Sequence, residues 1–279
     1  MSPGCLPLAE VEDEDEDVFG GKAAALGAAI RAGLPVPPGV ALSADLVAGT
    51  TRDGLAAAAT DTVRAVARDL GGPLAVRSSV VGEDGARHSF AGQHLTLLNV
   101  VRPDAVARAV AEVALSARSP SALAYRGARG DHSIPRCGVV LQRQVTALAA
   151  GVVFSRHPVT GTDELVVEAA WGLGVAVVEG LVVPDLVRLD PDGRRLEQVV
   201  GDKDRAVVPQ PGGGTAVVEV PPDRARRPCL GPAQLSALAD LARRCDALFG
   251  GPSDLEWAWT ADGAVLLQRR PVPVPLSAR

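Results

Sequence analysis

The stretch Asp254-Leu-Glu-Trp-Ala-Trp-Thr-Ala-Asp-Gly-Ala-Val-Leu-Leu-Gln-Arg-Arg-Pro271 decides how the chain is read. Two apolar runs flank Asp262-Gly263, a dipeptide that favours a tight reversal, so the segment reads as a β-hairpin. A two-residue loop would set Trp257 opposite Gln268 and Glu256 opposite Arg269. A three-residue loop, Ala261-Asp262-Gly263, sets Glu256 opposite Gln268 and Asp254 opposite Arg270. The second register sorts the faces, with Leu255, Trp257, Trp259, Val265 and Leu267 on one side. Glu256, Gln268 and Arg270 take the other. A one-residue slip mixes charged and apolar groups on both faces, so the second register is expected.

On that register a carboxylate, an amide and a guanidinium share a face. Carboxylate and amide oxygens are ligands that Mg²⁺ prefers, and Mg²⁺ often bridges nucleotide phosphates. Arg offers a fork of donors to phosphate oxygens. The same three residues are equally compatible with an exposed hairpin face carrying an incidental ion pair.

A chain of 279 residues holds one large or two medium domains. Aromatics make up only 3%, so the core must be built of Val, Leu and Ala. The net charge of −5 argues against a general nucleic-acid binder. Cys5, Cys137, Cys229 and Cys245 are scattered, with neither zinc-site spacing nor a disulfide framework. The start is acidic, so no signal peptide is expected, and no apolar run approaches membrane-spanning length. The expected location is the cytoplasm.

Along the chain, residues 10–17 form an acidic run that reads as a solvated or frayed arm. Lys22–Ala32 reads as a helix ending at Gly33, with Pro35 beyond it. Gly20-Gly21 before a helix that opens with Lys22 makes a weak phosphate-site signal, because helix N-termini expose N–H groups. Leu34–Leu42 reads as extended and 53–70 as helical. Pro73–Ser79 reads as a buried strand ending in Arg77 and two hydroxyls. Residues 80–93 form a Gly-rich loop able to bring backbone donors to phosphates. Further strands are expected at Leu95–Val100, Gly138–Val145, Ala149–Phe154, Glu164–Ala169 and Val217–Val220. Helices are expected at Asp104–Ala117, about 120–129, and Pro232–Phe249. Residues 201–214 read as a mobile surface loop. The pattern suits an α+β fold of two lobes better than one doubly wound sheet.

Taken in order, these segments resemble the ATP-binding domain of the pyruvate phosphate dikinase, phosphoenolpyruvate synthase and rifampin phosphotransferase family. The matching stretches are Gly20-Gly21-Lys22, Gly33-Leu-Pro-Val-Pro-Pro-Gly39, Ala75-Val-Arg-Ser-Ser79, Ser89-Phe-Ala-Gly-Gln93 and Pro158-Val-Thr-Gly161. Glu168-Ala-Ala-Trp-Gly-Leu-Gly174, Asp254-Leu-Glu-Trp257 and Leu267-Gln-Arg-Arg-Pro271 complete the set. Each is weak alone; the ordered combination is strong and spans nearly the whole chain.

The resemblance implies an ATP-grasp fold, with an N-terminal lobe over 1–143 and a C-terminal lobe over 144–279, and the nucleotide cleft between them. It implies that Lys22, Arg77 and Arg270 contact ATP phosphates and carry the catalytic charge. Ser89, Phe90, Ala91, Gly92 and Gln93 would close over the triphosphate, within a loop spanning 80–94. Gln142, Arg143, Gln144 and Val145 would lie along adenine. Glu168 is grouped with the nucleotide-binding residues, and Glu256 and Gln268 would hold Mg²⁺ on the hairpin 254–271.

His157 stands where the family usually has Asp or Asn, and Val175 where Glu usually follows Gly-Leu-Gly. The chain ends at Arg279 without a phospho-accepting histidine motif, so a free-standing domain is expected. The implied activity is Mg-ATP-dependent phosphotransfer, splitting ATP to AMP and phosphate and passing the β-phosphoryl to a histidine on a separate partner protein. Two alternatives stand beside it: direct phosphorylation or ligation of a small metabolite, and a non-catalytic nucleotide-binding regulatory subunit. No nucleic-acid or membrane partner is expected.

Overall fold

The computed structural model describes residues 4–82, 95–127, 133 and 135–272. The chain divides into two compact units, one of Met1–Arg31, Pro37–Gln144 and Gln210–Gly214, the other of Ala32–Val36, Val145–Pro209 and Thr215–Arg279. Both are α+β, the class expected.

The first unit carries β1 (Cys5–Pro7), α1 (Glu16–Phe19), α2 (Gly21–Arg31), β2 (Gly39–Leu42), α3 (Ala44–Val47), α4 (Ala57–Leu70), β3 (Leu74–Val80), β4 (Thr96–Val100), α5 (Pro103–Ser116), α6 (Pro120–Gly127) and β5 (Cys137–Arg143). Its strands pair antiparallel in the order β1-β2-β5-β3-β4. The small side chains let elements approach closely. Val63 and Ala67 of α4 and Val106, Val110 and Val113 of α5 bury against Leu74 and Val76 of β3 and Val139 and Leu141 of β5. All seven residues of β3 are buried. The acidic run is solvated but not frayed. Glu12 N–H donates to Asp15 Oδ2 at 2.9 Å within a 3₁₀ turn that leads into α1. Val11 and Phe19 anchor that turn in the interior.

The second unit carries β6 (Ala149–Phe154), β7 (Leu165–Trp171), α7 (Val175–Val178), β8 (Asp185–Leu189), β9 (Arg195–Val199), β10 (Arg205–Pro209), β11 (Thr215–Glu219), α8 (Pro222–Ala225), α9 (Pro232–Phe249), β12 (Ser253–Thr260) and β13 (Gly263–Pro271). Six strands form an antiparallel sheet in the order β13-β12-β6-β7-β8-β9. Helix α9 runs over the residues expected, entered at Pro232 and stopped by Gly250 in the left-handed conformation, and it packs against β6, β12 and β13. Leu235, Leu238 and Ala242 bury its inner stripe.

Three expectations need correction. Within Leu34–Leu42 only Gly39–Leu42 joins a sheet. Residues 201–214 are not a mobile loop, since β10 pairs with β11 and the turn between them is hydrogen-bonded, Gln210 N–H to the Gly214 carbonyl at 2.9 Å. In the 254–271 hairpin Glu256 faces Gln268 and Asp254 faces Arg270, but Thr260 pairs with Gly263, leaving a two-residue loop, Ala261-Asp262. A β-bulge between Glu256 and Trp257 takes up the extra residue, Leu267, so Trp257 pairs with Leu266. Leu266 is therefore fully buried, and Val265 and Leu267 are not.

Candidate functional site

In the first unit, alternation along β3 puts Arg77 and Ser79 on one face. Ser79 Oγ accepts the Ala23 N–H at 3.1 Å, and Lys22 Nζ donates to the Ser78 carbonyl at 2.8 Å. These two bonds seat the start of α2 on the end of β3. Lys22 and Arg77 are 3% and 5% exposed, so their charges lie largely out of bulk water. That makes their attraction for an anion stronger than on an open surface. The Ala23 amide, one of those a helix start could offer a phosphate, is committed to Ser79. The approach is close enough to require glycine before the helix. Gly20 has φ +85°, and a Cβ there would lie 2.0 Å from the Ser79 carbonyl oxygen.

The segment 142–145 presents mostly backbone. Gln142 is buried and its Nε2 donates to the Pro37 carbonyl at 3.1 Å. Arg143 Nε donates to the Leu70 carbonyl at 2.8 Å, at the end of α4. Both side chains are thus committed to the protein. Gln144 accepts the Asn99 N–H on Oε1 at 3.3 Å. Val145 opens the second of the three stretches assigned to the second unit. Ser89, Phe90, Ala91, Gly92 and Gln93 lie outside the described residues.

In the second unit, Val152 of β6 pairs with Glu168 of β7 on one side and Glu256 of β12 on the other, and Glu256 pairs with Gln268 of β13. Directly opposed residues in antiparallel strands share a face. Glu168, Glu256 and Gln268 therefore stand in one row across four strands, with Asp254 and Arg270 two residues along on the same face. The alternate residues Val153, Val167, Leu255 and Trp257 are buried on the opposite face. Gln268 is 3% exposed. Burial pushes the Glu168 carboxyl above the ordinary carboxylate range. Among the described residues no three His, Cys, Asp or Glu side chains cluster as a metal cage. Mg²⁺ needs none, because it commonly keeps waters and phosphate oxygens and takes only one or two carboxylates from protein.

His157 takes a structural place in its turn. Its Nδ1 accepts the N–H groups of Val159 and Thr160, both at 3.2 Å, as an Asp or Asn oxygen would. Val175 opens the short helix α7. Sequence reading placed Ser79 in a matching stretch but not as the anchor of α2, and it missed Asn99, which lies in no motif, as the partner of Gln144; each acts on a residue distant in the chain. Among the described residues no helix is long and apolar enough to cross a membrane.

Comparison with known proteins fits this geometry. The family model described as pyruvate phosphate dikinase, AMP/ATP-binding domain, matches residues 50–277. A probable phosphoenolpyruvate synthase of Methanothermobacter thermautotrophicus is 32% identical, aligned over 94% of this chain and 45% of its own length. The prodigiosin synthesizing transferase PigC of Serratia marcescens is 37% identical over 91% of this chain and 31% of its own. A rifampicin phosphotransferase of Streptomyces sviceus is 34% identical over 98% and 36%. The chain thus spans less than half the length of these relatives. By the extent of these matches, the chain belongs to the pyruvate phosphate dikinase AMP/ATP-binding domain family.

Proposed function

We propose that the chain binds Mg-ATP in an ATP-grasp domain and serves as the ATP-splitting part of a phosphotransferase. In this reading ATP is cleaved to AMP and phosphate, and the β-phosphoryl passes to a histidine on a separate partner protein. The observation that carries the reading is the row Glu168, Glu256 and Gln268 on one face of the six-stranded sheet. Two carboxylates and a buried amide thus bring oxygen donors together on one face of the sheet. Their oxygen donors suit Mg²⁺, with Glu256 and Gln268 as its protein ligands. Bound there, Mg²⁺ would neutralise charge on phosphate oxygens.

The chain's own residues do the positioning. Lys22, held against Ser78, and Arg77 supply positive charge to phosphate oxygens, and Arg270 supplies a donor fork beside the carboxylate row. Phosphoryl transfer needs mainly such placement and charge stabilisation. The test is ³¹P NMR of Mg-ATP with the chain, alone and with proteins carrying an exposed acceptor histidine. AMP and phosphate in the presence of acceptor support the reading. ADP as the nucleotide product would instead favour direct phosphorylation of a small molecule, and absence of ATP binding would overturn both.

A further inference from the structure

We infer that Arg269 is a positioning residue for the metal and phosphate groups. Held on the opposite face of the six-stranded sheet, it fixes the end of β13 that carries Gln268 and Arg270. The inference rests on the reading that Glu256 and Gln268 hold Mg²⁺, and it concerns a residue to which that reading gives no part.

Alternation along β13 puts Gln268 and Arg270 on the face of the carboxylate row. Arg269 takes the other face, where it opposes the buried Leu255. The backbone alone holds this stretch at few points. β13 is an edge strand of its sheet. The bulge at Leu267 interrupts the ladder just before Gln268. Just after Arg270 stands Pro271, which has no N–H to donate. Arg269 is the middle residue between these two interruptions.

Its side chain is fastened at two points. The guanidinium lies over the ring of Phe249, the last residue of α9, 4.5 Å from the centroid. Nε donates to Ser253 Oγ at 3.3 Å. Ser253 is fully buried, and its N–H donates to Ser155 Oγ at 2.8 Å. Ser155 Oγ in turn donates to Asp246 Oδ1 at 3.0 Å. A chain of bonds thus runs from β13 through the start of β12 and the residue after β6 to the last turn of α9.

A positive charge suits this place. The carbonyl end of a helix favours a cation, and α9 ends at Phe249. Burial pushes the Asp246 carboxyl above its ordinary range, while Ser155, Ser253 and the charge of Arg269 pull it back. Ring, hydroxyl and carboxyl together define one placement of the guanidinium, and the Arg269 backbone follows it. With that backbone fixed, the side chains before and after it leave the strand in fixed directions. Groups that orient metal ligands from behind are worth about 10–100-fold in metal affinity.

The test is calorimetric titration of ATP, with Mg²⁺ and with EDTA, into the full chain and three variants: Arg269→Met, Gln268→Ala and the double variant. Arg269→Met keeps an apolar stem but loses the charge and every donor. It should lower the ratio of ATP affinity in Mg²⁺ to that in EDTA by about tenfold. The double variant should lose no more of this ratio than Gln268→Ala, because Arg269 acts through its neighbour. An anchor of stability alone would deplete the binding-competent protein equally in both titrations and leave the ratio unmoved. If Arg269→Met does not fold, Phe249→Leu replaces it, since it removes the ring and leaves Arg269 in place, with the same expected outcomes. A folded variant with an unchanged ratio, or additive losses in the double variant, overturns the inference while leaving the Mg-ATP reading intact. A wild-type chain whose ATP binding does not depend on Mg²⁺ overturns the metal reading and this inference with it.

Discussion

Glu168 and Glu256 are both register partners of Val152, one from each side, which stands the two carboxylates on one face of the sheet. Two strand spacings put their backbones about 10 Å apart, close enough for both side chains to reach one bound Mg-nucleotide. Gln268 continues the row on the next strand.

The first prediction concerns acid–base behaviour. Burial raises the Glu168 pKa above its ordinary value of 4.5. In the window just above 4.5 the folded chain then holds more of this proton than the unfolded chain, so stability falls as pH rises through it. Glu168→Gln should remove that slope. Urea unfolding across pH 4 to 7 with nucleotide-free protein would read it, and an identical slope in the variant would refute burial of this carboxyl.

At the start of α2, Gly20→Ala should destabilise the fold by roughly 2–4 kcal/mol, because strain at positive φ adds to the clash with Ser79. Ser79→Ala should cost only about 1 kcal/mol, the loss of one helix-start hydrogen bond. Chemical denaturation ranks the two, and equal midpoints would deny the close approach.

Trp257 is fully buried, and its Nε1 has no hydrogen-bond partner among the described residues. Trp257→Ala should cost about 3–5 kcal/mol through the cavity it leaves. Trp257→Phe should cost markedly less, since it removes less volume and also a donor that gains nothing. A Phe variant as unstable as the Ala variant would mean that Nε1 is satisfied in the native state.

The His157 turn gives a fourth prediction. His157→Asn should keep the turn, because an amide oxygen can accept from Val159 and Thr160. His157→Ala should expose those two amides to rapid hydrogen exchange and cost about 1 kcal/mol. Equal protection of both amides in the Ala variant would remove the capping role.

Much of this was legible because the signals are local. Pro232 and Gly250 bracket α9, and the apolar start of β3, Leu74-Ala-Val76, follows directly on Pro73. The hairpin showed its faces but not its loop, since the bulge at Leu267 has no glycine to announce it. Strand β9, Arg-Leu-Glu-Gln-Val, was missed because an edge strand exposed on both faces has no reason to alternate. The glycines at 212–214 read as freedom to move, whereas all three hold positive φ in a bonded turn. Asn99 could not be found at all, because its partners lie 45 and 111 residues away.

The most direct test of the central claim is calorimetric titration of ATP into wild type and Glu256→Ala, each with Mg²⁺ and with EDTA. The account predicts tight Mg²⁺-dependent binding to wild type, weakened at least about tenfold in a folded Glu256→Ala, with little difference between the two proteins in EDTA. Equal Mg²⁺-dependent affinity in both proteins would contradict it, and the metal would then have to be held away from the Glu256–Gln268 pair.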